Sequence, residues 1–246
     1  QYTRNNMCGI IGLISKSKKV GLPIFEELLK QSQIRGKHST GVSTIVDGAI
    51  ETIALPIPAD RFTSEYEIPW SERMIGHVRY STSFIKHHQP ISDGNIAITH
   101  NGIITQEKPE MWEEHFGYTG FKTKNDSELL LKCIEEGSGV FKKFKKSSMA
   151  CGVLDTENLY CFRNETRPLW LFMGEGFAGF ASTRDIIERT MKNLNHKVAI
   201  NPTLPFAYYF FIKTTNDGYN VTTKMSTVKY VDDKQIKTKS QEKYIG

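Results

Sequence analysis

The chain has 246 residues, 39% of them hydrophobic and 24% charged, which excludes wholesale disorder and suits one large domain or two small ones. A net charge of +5 is mild, and its lysine-rich parts, FKKFKK at 141–146 and the tail from Lys224 to Lys243, fit a solvated helix end and a solubilising tail better than a nucleic-acid surface. No apolar run approaches the ~18 residues of a membrane span, and the opening QYTRNN lacks the apolar stretch of a secretory signal, so a soluble, cytoplasmic protein is expected.

Apolar runs and alternation predict eleven strands and three helices. Strand Gly9–Ser15 comes first, then a helix over Leu22–Ile34 with Ile24, Leu28, Gln31 and Ile34 near one stripe. Strands Gly41–Val46 and Ile50–Ala54 flank the turn Val46-Asp47-Gly48, and Met74–Tyr80 and Asn95–His100 come after them. The second helix, Ser127–Phe144, starts behind Asn125-Asp126-Ser127, a good supply of N-caps. Strands Met149–Leu154 and Leu159–Arg163 surround Thr156-Glu157-Asn158, and Leu169–Met173 and Phe177–Ala181 come next. The third helix, Asp185–Leu194, has Asp185 three residues after Ser182, where a capping-box acid sits. Phe206–Lys213 and Tyr219–Thr223 close the set, and a polar surface arm is expected from about Lys224. Strands in blocks joined by hairpin turns point to an α+β domain of antiparallel sheets with helices on their outer faces.

Several motifs are expected to be inert. Gly174-Glu175-Gly176-Phe177-Ala178-Gly179 fits GxGxxG, but strand-like residues flank it on both sides, so a glycine-containing hairpin is expected and not a phosphate cradle. Cys8, Cys133, Cys151 and Cys161 contain no CxxC pair, and His87-His88 has no further ligand cluster, so no metal or cofactor is expected.

The chemistry begins at Met7-Cys8-Gly9-Ile10-Ile11-Gly12. If the chain began at Cys8, its α-amino group would titrate near ~7.7–8.0 and its thiol near ~8.5, and one residue would hold both nucleophile and base. His100-Asn101-Gly102 is expected to end a strand at a glycine turn, where an asparagine amide and a backbone N–H can meet a developing oxyanion. Arg79, in GHVRYST, can grip a carboxylate in bidentate fashion, and Asp126, beside a helix start, can receive an ammonium group. Arg35-Gly36 forms a turn that can border the pocket. Together these parts suit an α-amino acid bearing a side-chain amide.

MCGIIG, RGKHSTG, GHVRYST, THNGI, NDSE and RNETRPLW, in that order, resemble the class II glutamine amidotransferase domain over roughly Cys8 to Thr215. The resemblance implies the αββα four-layer sandwich of an N-terminal-nucleophile hydrolase and hydrolysis of L-glutamine to glutamate and ammonia. It also implies roles: Cys8 as the nucleophile that forms a thioester, Asn101 and Gly102 as the oxyanion pair, and Arg79 with Tyr80, Ser81 and Thr82 on the substrate carboxylate side. Asp126 would hold the ammonium group, and Arg35 and Gly36 would lie in the loop near the nucleophile. His38 stands where family members usually carry Asp, and Ser83-Phe84 departs from the loop that covers the substrate.

Residues 1–7 are expected to be an added remnant, a leader awaiting removal, or a permanent extension on a catalytically silent, glutamine-binding scaffold. Residues 8–223 form the expected glutaminase domain and 224–246 the basic arm. The segment after Thr215 is too short for an ammonia-using domain, so a separate synthase subunit is the expected partner.

Overall fold

The computed structural model describes residues 7–80, 88–216, 220–231 and 234–237. The strands are β1 (Gly9–Ser15), β2 (Ser39–Val46), β3 (Ala49–Leu55), β4 (Arg73–Arg79), β5 (Ile91–Ser92), β6 (Ile96–Ile103), β7 (Ser148–Asp155), β8 (Leu159–Arg163), β9 (Trp170–Gly174), β10 (Phe177–Ala181), β11 (Ala199–Pro202), β12 (Ala207–Asn216), β13 (Asn220–Val231) and β14 (Lys234–Lys237). They form two seven-stranded sheets, ordered β11-β9-β10-β1-β4-β2-β3 and β14-β13-β12-β8-β7-β6-β5. The helices are α1 (Lys18–Ser32), α2 (Ala59–Glu65), α3 (Trp112–Phe116), α4 (Ser127–Glu135), α5 (Val140–Lys143) and α6 (Arg184–Asn193).

Three apolar clusters separate four layers. Ile24, Phe25, Leu28 and Leu29 of α1 and Ile186, Ile187 and Met191 of α6 pack on the outer face of the first sheet with Ile11 and Leu13. Leu129, Leu130 and Cys133 of α4 pack on the outer face of the second with Ile98, Met149 and Val153. Between the sheets, Ile10, Ile14, Ile75 and Phe180 meet Ala97, Ala150, Leu154 and Leu159. The central strands are thus buried on both faces, which is why β1 reads as an unbroken apolar run. Phe180 fills the inter-sheet space so closely that a Cβ on Gly12 would lie 2.2 Å from its ring, and one on Gly152 would lie 2.4 Å away.

Departures from the expected elements have local causes. Helix α1 starts four residues before the expected Leu22, with Pro23 inside it. The hydrogen bond forfeited at Pro23 is offset by the buried stripe beyond it. The single helix expected over Ser127–Phe144 is two. Gly137 (φ 70°) ends α4 in a Schellman motif, with Ser138 N donating to Cys133 O at 3.1 Å and Gly137 N to Ile134 O at 3.0 Å. Helix α2 buries only Ala59 and Phe62, too few positions to show a period. Strands β5, β11 and β14 have two to four residues each, below what alternation can mark.

Strand β13 pairs with β12 and β14 and crosses the boundary expected between residues 223 and 224. The stretch carries Val221, Thr222, Thr223, Thr227, Val228 and Val231, β-branched residues that favour extended backbone despite the neighbouring lysines. The GxGxxG look-alike is a β9–β10 hairpin turning at Glu175-Gly176, with Phe177 paired to Gly174. Among the described residues no helix is long and apolar enough to cross a membrane.

Candidate active site

Strand parity brings the key residues to one place. Ile10 and Ile14 of β1 face the inter-sheet space, and Cys8, one residue before the strand, continues that face. On β4, Ile75 faces the same space, so His77 and Arg79 do as well. On β6, Ala97 does so, and Thr99 and Asn101 share its parity. Gly9 pairs with Val78, which sets Cys8 beside the end of β4. Cys8, Arg79 and Asn101 therefore share one end of the space between the sheets.

Cys8 is fastened on two sides. Its thiol donates to Tyr80 O at 3.8 Å, and Arg35 Nε donates to Cys8 O at 2.9 Å. Arg35 is buried at 6% exposure, so the turn expected only to border the pocket in fact grips the Cys8 backbone. Gly36 allows this, because a Cβ there would lie 2.3 Å from the Arg79 carbonyl carbon and the Tyr80 nitrogen. His38 N donates to Arg79 O at 3.0 Å, and its ring stands 5.2 Å from that of Tyr80. The backbone of residue 38, and not its side chain, makes that hydrogen bond. Burial pushes the Cys8 thiol up, while contact with the Tyr80 backbone and the charges of Arg79, Arg35 and Arg167 pull it down.

The expected turn at His100-Asn101-Gly102 is instead part of β6, which runs on to Ile103. Gly102 sustains the ladder at φ 145°, paired with Met149. Only glycine fits, since a Cβ would fall 1.8 Å from Ser148 O. Asn101 is 3% exposed, and its Nδ2 has no hydrogen-bond partner among the described residues. Leaving such a donor unmet costs ~1–3 kcal/mol, so this amide is available to an incoming oxygen.

The neighbouring residues are tied to α4. His100 Nδ1 meets Ser127 Oγ at 2.8 Å, and its Nε2 meets Ser148 O at 3.3 Å. Gln89 Oε1 accepts from His100 N at 2.6 Å, and Gln89 Nε2 donates to Ser127 Oγ at 3.2 Å. This circuit assigns the Nε2–H tautomer to His100. Asp126 Oδ2 accepts from Ile104 N at 2.5 Å and from Thr105 N at 3.3 Å. The acid expected to bind an ammonium group is thereby fixed two residues beyond Gly102, with acceptor capacity to spare.

Ser81 and Thr82, and the Ser83-Phe84 loop, lie outside the described residues. His77 faces the His100 backbone from the opposite sheet, and burial, then the Arg79 charge, lowers its pKa to about 3. Burial lowers His100 as well. Both rings are neutral in the fold but take up protons when unfolded, below about pH 6.5. Stability is therefore expected to fall as pH drops from 6.5 towards 3. Urea midpoints at pH 7.5 and pH 5 check this, and equal midpoints would contradict the buried neutral pair.

One arginine beside these residues went unassigned in the sequence. Arg167 donates from Nε to Ser148 Oγ at 2.6 Å and from Nη1 to Met7 Sδ at 2.8 Å. RNETRPLW marked the segment, but nothing in its spacing linked residue 167 to residue 7.

A family model described as a glutamine amidotransferase domain matches residues 77–189. The glutamine–fructose-6-phosphate aminotransferase (isomerizing) of Sulfurisphaera tokodaii is 30% identical over 191 residues, covering 69% of this chain and 32% of that protein. The amidophosphoribosyltransferase of Methanothermobacter thermautotrophicus is 33% identical over 208 residues, covering 75% and 42%. The glutamine phosphoribosylpyrophosphate amidotransferase structure from B. subtilis superposes with a TM-score of 0.63 at 17% identity, covering 88% of this chain and 49% of that one. The chain belongs to the class II glutamine amidotransferases. Its two antiparallel sheets and outer helices are the N-terminal-nucleophile hydrolase fold. The chain spans about a third of the length of the first of these relatives (32%) and 42% of the second. The matched segment contains Arg79, Asn101, Gly102, Asp126 and Arg167. Cys8 and Arg35 lie before it; Cys8 joins it through its bond to Tyr80 O, and Arg35 is tied to it through its bond to Cys8 O.

Proposed function

We propose that this amidotransferase domain hydrolyses L-glutamine to L-glutamate and ammonia through a thioester on Cys8, once the Met7–Cys8 bond has been opened. The observation that carries the reading is the shared face of Cys8, Arg79 and Asn101, with Asp126 anchored just beyond Gly102. Arg79 takes the substrate α-carboxylate, with Tyr80 alongside, and Asp126 takes the α-ammonium group. The Cys8 sulphur attacks the side-chain amide carbon, and the oxyanion is met by Asn101 Nδ2 and the Gly102 N–H. The Cys8 amine delivers a proton to the departing nitrogen, which leaves as ammonia. Water, deprotonated by the same amine, then cleaves the thioester and releases glutamate.

Ammonia set free in water would be protonated and diluted, so its consumer is proposed to be a separate synthase docked at the mouth of the site. A rise in glutaminase rate and a shared gel-filtration peak on mixing would support that partner. The cytoplasm is the proposed compartment, where reducing conditions keep Cys8 and the three buried cysteines as thiols. The Met7–Cys8 peptide present in this chain favours a second reading: with that bond closed, the domain binds glutamine without turning it over.

Diazo-oxo-norleucine, an electrophilic glutamine analogue, tests the main reading. It is expected to add once, at Cys8, in protein opened before that residue, and glutamine should protect against it. Labelling elsewhere, or none in protein of confirmed mass, would overturn it.

A further inference from the structure

Three guanidinium groups gather around Met7-Cys8, Arg35 on the Cys8 carbonyl, Arg79 at the facing end of β4 and Arg167 on the Met7 sulphur, and the proposed reaction assigns only two. Arg35 is committed to the Cys8 carbonyl. Arg79 is set aside for the substrate carboxylate, whose charge offsets its own once glutamine is bound. Arg167 remains, on the loop between β8 and β9. Its Nε is braced on Ser148 Oγ, and its Nη1 reaches the Met7 sulphur, next to Cys8. The brace is itself rigid: Ser148 O accepts from His100 Nε2 and abuts the Gly102 Cα so tightly that no Cβ fits there.

We propose that Arg167 is a further residue of this site, a fixed cation that stabilises negative charge on the Cys8 sulphur and continues to do so after the substrate carboxylate has neutralised Arg79. The proposal rests on Cys8 being the nucleophile, because only the thiolate attacks.

The surroundings of Cys8 support it. Three guanidinium charges among the described residues favour the thiolate: Arg79 from the end of β4, Arg35 from the α1–β2 loop and Arg167 from the β8–β9 loop. The nearby carboxylates act elsewhere, Asp126 on His100 and Asp185 on Arg35. His100 is held neutral by burial and contributes no charge. Burial opposes the thiolate, so a cation that substrate does not cancel has a large effect in this low-dielectric place.

The test is the pH dependence of Cys8 alkylation by iodoacetamide, read by peptide mass on the full chain and on the chain opened at Cys8. Arg167→Gln is expected to move the alkylation midpoint to higher pH and to slow the reaction near neutrality by about threefold to tenfold. Arg167→Lys, which keeps the charge, should stay near the parent midpoint. Ser148→Ala, which frees the guanidinium from its brace, should shift the midpoint in the same direction as Arg167→Gln. Superimposable curves for Arg167→Gln and the parent would overturn the proposal, and so would an equal shift in Arg167→Lys. The assay consumes no glutamine. If opened parent protein releases no glutamate while the alkylation shift persists, the glutaminase reading fails and the charge role stands.

Discussion

Opening the chain between Met7 and Cys8 is expected to raise glutamine hydrolysis by about 10²–10⁴-fold, the usual contribution of a positioned acid–base group. In the closed chain the Cys8 nitrogen is an amide, and its lone pair is delocalised into the carbonyl. It can neither accept the thiol proton nor pass one to the leaving nitrogen. Met7 also sits against Arg167 and would crowd the substrate's proposed approach to the sulphur. Opening the bond removes both obstacles without touching the fastening of Cys8, since Arg35 holds the carbonyl side of the residue and not its nitrogen. Glutamate release before and after cleavage, with intact mass confirming the new terminus, measures the effect. Cys8→Ser in the opened chain should return the rate to that of the closed chain. Equal rates for closed and opened protein would remove the amine from the mechanism.

Replacing Asn101 by Ala should lower kcat by about 10²–10³-fold with little change in KM, as loss of one oxyanion donor does elsewhere. The effect on stability should be small. Nδ2 makes no hydrogen bond among the described residues, so its removal ends a desolvation penalty of ~1–3 kcal/mol and offsets the lost packing. Activity and stability are thus expected to separate at this position, in kinetics and thermal denaturation run side by side. A kcat within threefold of the parent would show that the amide does not meet the oxyanion. Gly102→Ala provides the contrast, because there the clash with Ser148 O displaces backbone and both quantities should fall.

Much of this arrangement was legible from local pattern. Strands β1 and β10 have the limits that their apolar runs predicted, because every position of each is buried and carries the signal, and β8, three of whose five positions are buried, has its predicted limits too. The hairpin at Asp47-Gly48 was legible because its turn needs positive φ at both residues, 49° and 81°. The break between α4 and α5 was harder to read, since the apolar spacing of Leu129, Leu130 and Cys133 continues into Val140 and Phe144. The Gly137 cap that separates the two helices outweighs that spacing.

The site divides along the same line. The sequence by itself determined which chemical groups this protein possesses: a cysteine ahead of a buried strand, an Asn-Gly pair, an arginine at a strand end and an acid at a helix start. These are properties of residue type and near neighbours, and a linear pattern carries them. Only the tertiary structure decided that Gly102 lies within β6 and not in a turn, that Arg35 binds the Cys8 carbonyl, and that Arg167 reaches Met7 from 160 residues away. Such contacts arise from sheet order and register, which set residues distant in the chain side by side, and no periodicity along the chain encodes that distance.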